Sequence, residues 1–147
     1  MKLPRMVAAE YFVGFVEGQP VCHLAVAPRL EINAMRACRM VVLPEWQGAG
    51  IGLRFLNEVC RHYVSGGGRY GSRARAVYFH TSHPGLCAAL RRGRGWAQCS
   101  LVLFGGDKQK SFKSISKSSK GPQITAGYGG HFRAVQGFKF TDTPIPA

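Results

Sequence analysis

Nine residues, Pro44-Glu45-Trp46-Gln47-Gly48-Ala49-Gly50-Ile51-Gly52, constrain this chain more than any other stretch. They follow the apolar run Met40-Val41-Val42-Leu43 and precede LRFLNEVCRHYV. Ile51, Phe55, Leu56, Val59, Cys60 and Tyr63 fall on one helical stripe, so Gly50 to Val64 is expected as an amphipathic helix. A strand must hand over to a helix across three glycines at alternate positions. Such a run is either a flexible turn or a cradle. Backbone N–H groups at a helix start lack helical partners and carry the positive end of the helix dipole, so phosphate oxygens fit there. Glycines at Gly48, Gly50 and Gly52 remove the side chains that would block that approach, and Gln47 can fix the loop's entry through its amide.

The flanking pattern supports the cradle. YFVGFVE at 11–17 reads as a strand closed by Gly18-Gln19-Pro20, and VCHLAVA at 21–27 as its hairpin partner. A third strand is expected over 37–43. Gly66-Gly67-Gly68 ends the helix, and Ala76-Val77-Tyr78-Phe79 follows as a short buried strand. Strand, helix, strand implies a right-handed crossover joining parallel neighbours. GLCAALRRGRG after Pro84 can make a second, shorter helix ending at Gly93 or Gly95, before a strand over 96–104. Residues 105–130 are dominated by Lys, Ser and Gly and read as a mobile loop or basic arm, and 131–140 restores strand character. At 147 residues the chain is expected to form a single domain over 1–147.

Other readings are excluded one by one. A dinucleotide fold needs GxGxxG and an acidic residue closing the next strand, whereas the spacing here is GxGxG and the next strand ends in His80-Thr81. A Walker loop needs Gly-Lys-Ser or Gly-Lys-Thr, which is absent. No apolar run approaches the roughly 20 residues of a membrane span, and MKLPRMVAAEYFVGFVEG does not read as a secretory signal, so a cytosolic protein is expected. Cys22, Cys38, Cys60, Cys87 and Cys99 are odd in number and never form CxxC, the pattern of free thiols in a reducing compartment rather than of a metal site. Twenty Lys and Arg against seven Asp and Glu give +13, which points to an anionic partner without choosing among nucleic acid, an acidic protein and a polyphosphate cofactor.

Val42-Leu43-Pro44-Glu45-Trp46-Gln47-Gly48-Ala49-Gly50-Ile51-Gly52 resembles the acyl-CoA loop of the GCN5-related N-acetyltransferases (GNAT), which has the form Q/R-x-x-G-x-G/A after a strand ending in Val-x-Pro. The resemblance extends over roughly 11–104 and 131–140. It implies an α/β fold with a mixed, mostly antiparallel sheet, a central parallel strand pair splayed around acyl-CoA, and flanking helices. It also implies acetyl-CoA, or another acyl-CoA, as cosubstrate and direct transfer to an amine. Met40, Val41 and Val42 would pair with the pantetheine arm, and the amides of Gln47, Gly48, Ala49, Gly50, Ile51, Gly52 and Leu53 would line the diphosphate site. A preset amide on Val41-Val42 would polarise the thioester carbonyl.

An alkylammonium acceptor with a pKa near 10 is about a thousandfold more protonated than free at neutral pH, so a base or a water chain is required. His80, Ser82 and His83 are the leading catalytic candidates, where acceptor and thioester should meet. Ser82 can equally start the next helix. Glu31, His23 and His131 are lesser candidates.

Two departures from the family pattern stand out. The tyrosine that protonates the leaving thiolate is missing, its position falling near Leu90-Arg91. Only about ten residues precede the first strand, where the family has a strand and two helices walling the acceptor site. A partner subunit or second copy completing that wall, a large substrate, or a relative that no longer catalyses would each account for this. Lys108, Lys110, Lys113, Lys117 and Lys120, with Arg69, Arg73, Arg75, Arg91, Arg92 and Arg94 expected near the cleft, suggest a nucleic-acid acceptor in the manner of phage Mom-type DNA modification proteins. A basic nucleic-acid-binding module without catalysis is the competing class.

Overall fold

The computed structural model describes Met6, residues 8–102 and residues 134–142. The segment at 105–130 with its five lysines, and His131, lie outside the described residues. Strands β1 (Glu10–Val16) and β2 (Gln19–Arg29) form the expected hairpin. Its turn is Glu17-Gly18, both at positive φ (47° and 79°), the geometry whose twist matches two antiparallel strands. Strand β3 (Ala34–Val42) returns antiparallel to β2 after a 3-10 turn at Leu30–Ile32. Helix α1 (Ile51–Val64) then crosses to β4 (Val77–Thr81), which lies parallel to β3. Helix α2 (Pro84–Arg92) leads to β5 (Trp96–Val102), and β6 (Val135–Phe140) inserts between β4 and β5. The sheet order is β1-β2-β3-β4-β6-β5, with β3 and β4 the parallel pair in a sheet whose other neighbours are antiparallel.

The apolar stripe of α1 buries Leu56, Val59, Cys60 and Tyr63, and α2 buries Cys87 and Leu90. These join Leu24, Val26, Met35, Val77, Phe79, Trp96, Phe138 and Phe140 in one cluster. Two right-handed crossovers that step in the same direction place both helices on one face of the sheet. Polar ties reinforce that layer: Trp96 Nε1 donates to Asn57 Oδ1 at 2.8 Å, and the Arg61 guanidinium pairs with Asp142 Oδ2 at 2.7 Å. No helix among the described residues covers the other face, where Tyr11, Val13 and Phe15 of β1 are exposed at alternate positions. No described helix is long and apolar enough to cross a membrane.

Candidate functional site

The parallel pair is short. Only Met35↔Val77, Arg36↔Tyr78 and Ala37↔Phe79 are in register. Beyond them β3 continues to Val42 against β2, while β4 passes to β6 through His80↔Gly137 and Thr81↔Gln136. The strands therefore splay, leaving a slot between Cys38–Val42 on one side and His80-Thr81 on the other.

A bulge shapes the β3 wall of this slot. Between the pairs Ala25↔Cys38 and His23↔Val41, β3 has one residue more than β2, and Arg39 takes a left-handed φ of 49°. The extra residue reverses the alternation. Met35 and Ala37 face the helices before it, whereas Met40 and Val42 do so after it, both within reach of Gly52. Val41 turns to the helix-free face and is 54% exposed. Leu43 N–H donates to Val21 O across the β2 pairing, so strand alternation aims the N–H of Val42 at the slot.

The glycine loop closes the slot's end. Pro44–Trp46 forms a 3-10 turn in which the Gln47 N–H bonds to Pro44 O. The Gln47 side chain reaches back, donating from Nε2 to Val42 O at 2.8 Å, and so pins the loop to the strand. Gly48 and Gly50 follow at φ 85° and 77° with open space beside them, so their need for glycine is conformational. Among the described residues no hydrogen bond takes the N–H of Gly48, Ala49, Gly50, Ile51, Gly52 or Leu53, and Gly48 to Gly50 are exposed. The cradle thus begins at Gly48, one residue later than Gln47, whose own main-chain N–H is spent in the turn.

Gly52 is needed for a different reason. A Cβ there would stand 2.6 Å from Met40 Cε and 2.8 Å from Val42 Cγ2. Gly52→Val is expected to pry α1 off β3 at a cost of about 1–3 kcal/mol, the usual range for overpacking. Urea denaturation reads this directly, and an unchanged midpoint would show that the close approach is not maintained.

His80, Ser82 and His83 lie in sequence along the end of β4 but do different things. His83, not Ser82, caps α2: its Nδ1 accepts from Leu86 N at 3.2 Å, and its own N–H donates to Thr81 Oγ1. That bond occupies the Nδ1 lone pair. His80 instead projects onto the helix-free face, opposite Gly137 and close to Ser100 of β5. A Cβ built on Gly137 would lie 2.8 Å from His80 Nε2 and 2.1 Å from Ser100 Oγ, so the glycine leaves open the space these two groups share. Sequence reading missed Ser100 and Gly137, because the signal for them is strand register across three strands, and Gly137 sits in an ordinary apolar run.

His80 and Ser100 belong to the wall of a cavity of about 760 Å³ on the helix-free face at the splay. Its other charged lining residues are Arg29, Glu31, Arg36 and Arg39. Glu31 stands 3.9 Å from Arg29. Burial pushes the Cys38 thiol up, opposed by the charges of Arg36 and Arg39. His23, by contrast, stacks on Tyr11 with ring centroids 5.8 Å apart.

Three of the arginines expected near the cleft are elsewhere. Arg69, Arg73 and Arg75 lie in the connection between α1 and β4, at the opposite end of the sheet from the glycine loop. Arg69 N–H binds the Glu10 carboxylate, and Arg75 packs over the Tyr70 ring and donates to Tyr70 O. Arg91, where the family tyrosine would fall, donates to Gln136 Oε1 at 2.7 Å.

Comparison of the sequence with family models and with curated proteins finds no match. Comparison of the fold does. A GNAT family acetyltransferase from Elizabethkingia anophelis with acetyl-CoA bound aligns at a TM-score of 0.61 and 12% identity, over 91% of this chain and 76% of that one. A Bacillus subtilis acetyltransferase in complex with CoA aligns at 0.61 and 9% identity, over 91% and 77%. Mutant forms of the spermidine/spermine N-acetyltransferase from Vibrio cholerae align at 0.57 and 12% identity, over 90% and 66%. The fold of this chain is GNAT-like.

Proposed function

We propose that this chain is an N-acyltransferase that uses an acyl-CoA, acetyl-CoA in the first instance, and passes the acyl group directly to an amine, with a nucleic-acid-associated amine as acceptor. One observation carries the reading: a slot between splayed parallel strands that ends at the unclaimed amides of Gly48 to Leu53. The fit is chemical. A diphosphate needs several converging N–H donors at a helix start, and the loop presents them where glycine keeps side chains away. Acyl-CoA would supply the activated acyl group as a thioester.

The chain's own residues divide the remaining work. Val42 N–H, aimed into the slot, is the preset donor for a carbonyl oxygen that gains charge. His80 takes the proton from the acceptor ammonium, being the histidine that faces the splay from a rigid strand. His83 fixes the start of α2 through its cap on Leu86 N–H. With leucine and arginine where the family has its tyrosine, the leaving thiolate takes its proton from another group or from solvent.

Titration calorimetry with acetyl-CoA tests the reading. Binding is expected, with thermal protection equivalent to about 2.7 kcal/mol at a hundredfold excess over Kd. Neither heat nor protection would leave the second reading, a basic nucleic-acid-binding module on the same fold, which the net charge of +13 favours. Such binding should fall steeply with salt, because captured phosphates release counterions.

A further inference from the structure

We infer that the cavity on the helix-free face is a phosphate-reading acceptor site, in which Arg29, Arg36 and Arg39 select amines that carry a phosphate group. This rests on the acyltransferase reading and names its substrate class. Among the described residues, three guanidinium groups against one carboxylate line the cavity that also holds His80 and Ser100. Glu31 stands 3.9 Å from Arg29, and none of the ion pairs among the described residues involves Arg36.

A polycationic acceptor such as a polyamine or an aminoglycoside would be repelled by such a lining. Arginine's planar fork is suited to phosphate oxygens, which accept two parallel N–H bonds. Nor is Arg36 a spare ligand for the diphosphate of coenzyme A. It precedes Val42 by six residues of a strand bent by the bulge at Arg39, at most roughly 20 Å at about 3.3 Å per residue, and the glycine loop lies beyond that. The site therefore has two anion-binding ends: backbone amides at the loop and guanidinium groups at the acceptor mouth. The acceptor's phosphate would sit on the arginines with its amine directed toward His80. That phosphate has two sources, a free monoester or a nucleic-acid strand.

Thiol release from acetyl-CoA, measured with paired acceptors, separates them. Phosphoethanolamine is compared with ethanolamine, and an amine-tailed single-stranded oligonucleotide with the same amine lacking the strand; spermidine serves as the cationic arm. The phosphate-bearing member of at least one pair is expected to show at least tenfold higher kcat/KM, and the pair that does identifies the source. Arg29→Gln combined with Arg36→Gln should shrink that gap tenfold or more while acetyl-CoA affinity stays within twofold. Equal rates within both pairs, preference for spermidine, or an undiminished gap in the double variant would overturn the inference.

If acetyl-CoA fails to bind, the acyltransferase reading falls separately. Calorimetry of the amine-tailed oligonucleotide, on wild type and double variant, then decides the phosphate site by itself. The same measurement on CoA-loaded protein decides it if no acceptor turns over. Weaker binding by tenfold in the variant upholds the site, and equal binding overturns it.

Discussion

Replacing His80 by alanine is expected to lower kcat for acyl transfer by a factor of about 10² to 10⁴, the span that a positioned general base contributes. Acetyl-CoA affinity should stay unchanged, because the loop amides that would hold the diphosphate belong to α1 and its approach, not to β4. The effect follows from placement. β4 carries His80 past its last pairing with β3 and holds it in register with β6, so the imidazole is fixed at the splay. Added imidazole should restore part of the lost rate, since the pocket left by the side chain opens onto the cavity. A structural role would not respond to it. Steady-state rates with and without imidazole decide the matter, and a variant that turns over at the wild-type rate removes His80 from the chemistry.

The largest expected effect on stability comes from Phe138→Ala. Phe138 is 0% exposed, pairs with Phe79 across β4, and lies in the cluster shared by both helices. Truncating a buried phenylalanine removes its transfer free energy and leaves a cavity, about 3–5 kcal/mol together. A domain whose whole stability is about 5–15 kcal/mol loses a large share of it. Phe15→Ala makes the control, because Phe15 is 63% exposed on the helix-free face and its loss should change stability by about 0.5 kcal/mol or less. Chemical denaturation of the two variants reads the contrast. Equal losses would mean that the helix-free face is packed as tightly as the core.

Much of this was legible from residues alone, for stated reasons. The helical stripe from Ile51 to Tyr63 and the glycines before it are local patterns, and the buried set Leu56, Val59, Cys60 and Tyr63 lies on that stripe. The hairpin, expected to turn at Gly18-Gln19-Pro20 and found to turn one residue earlier at Glu17-Gly18, and the parallel crossover follow from short-range rules of turn geometry and handedness. The cap of α2 was less accessible, since Ser82 is the better intrinsic cap and only the geometry after Thr81 puts His83 there. The bulge at Arg39 leaves no mark in composition, yet it decides which of Val41 and Val42 meets the helix.

What the amino-acid order determined by itself was the sequence of elements, the glycine-lined start of α1 and the resemblance that both carry, because each depends on neighbours within a few turns of chain. What only the tertiary structure decided was the acceptor side. Arg29, Arg36, Arg39, His80, Gly137 and Ser100 come from five separate strands, and they meet because β3 and β4 part company while β6 enters between β4 and β5. That juxtaposition is set by strand register and by which face each side chain takes, long-range quantities that no local spacing encodes.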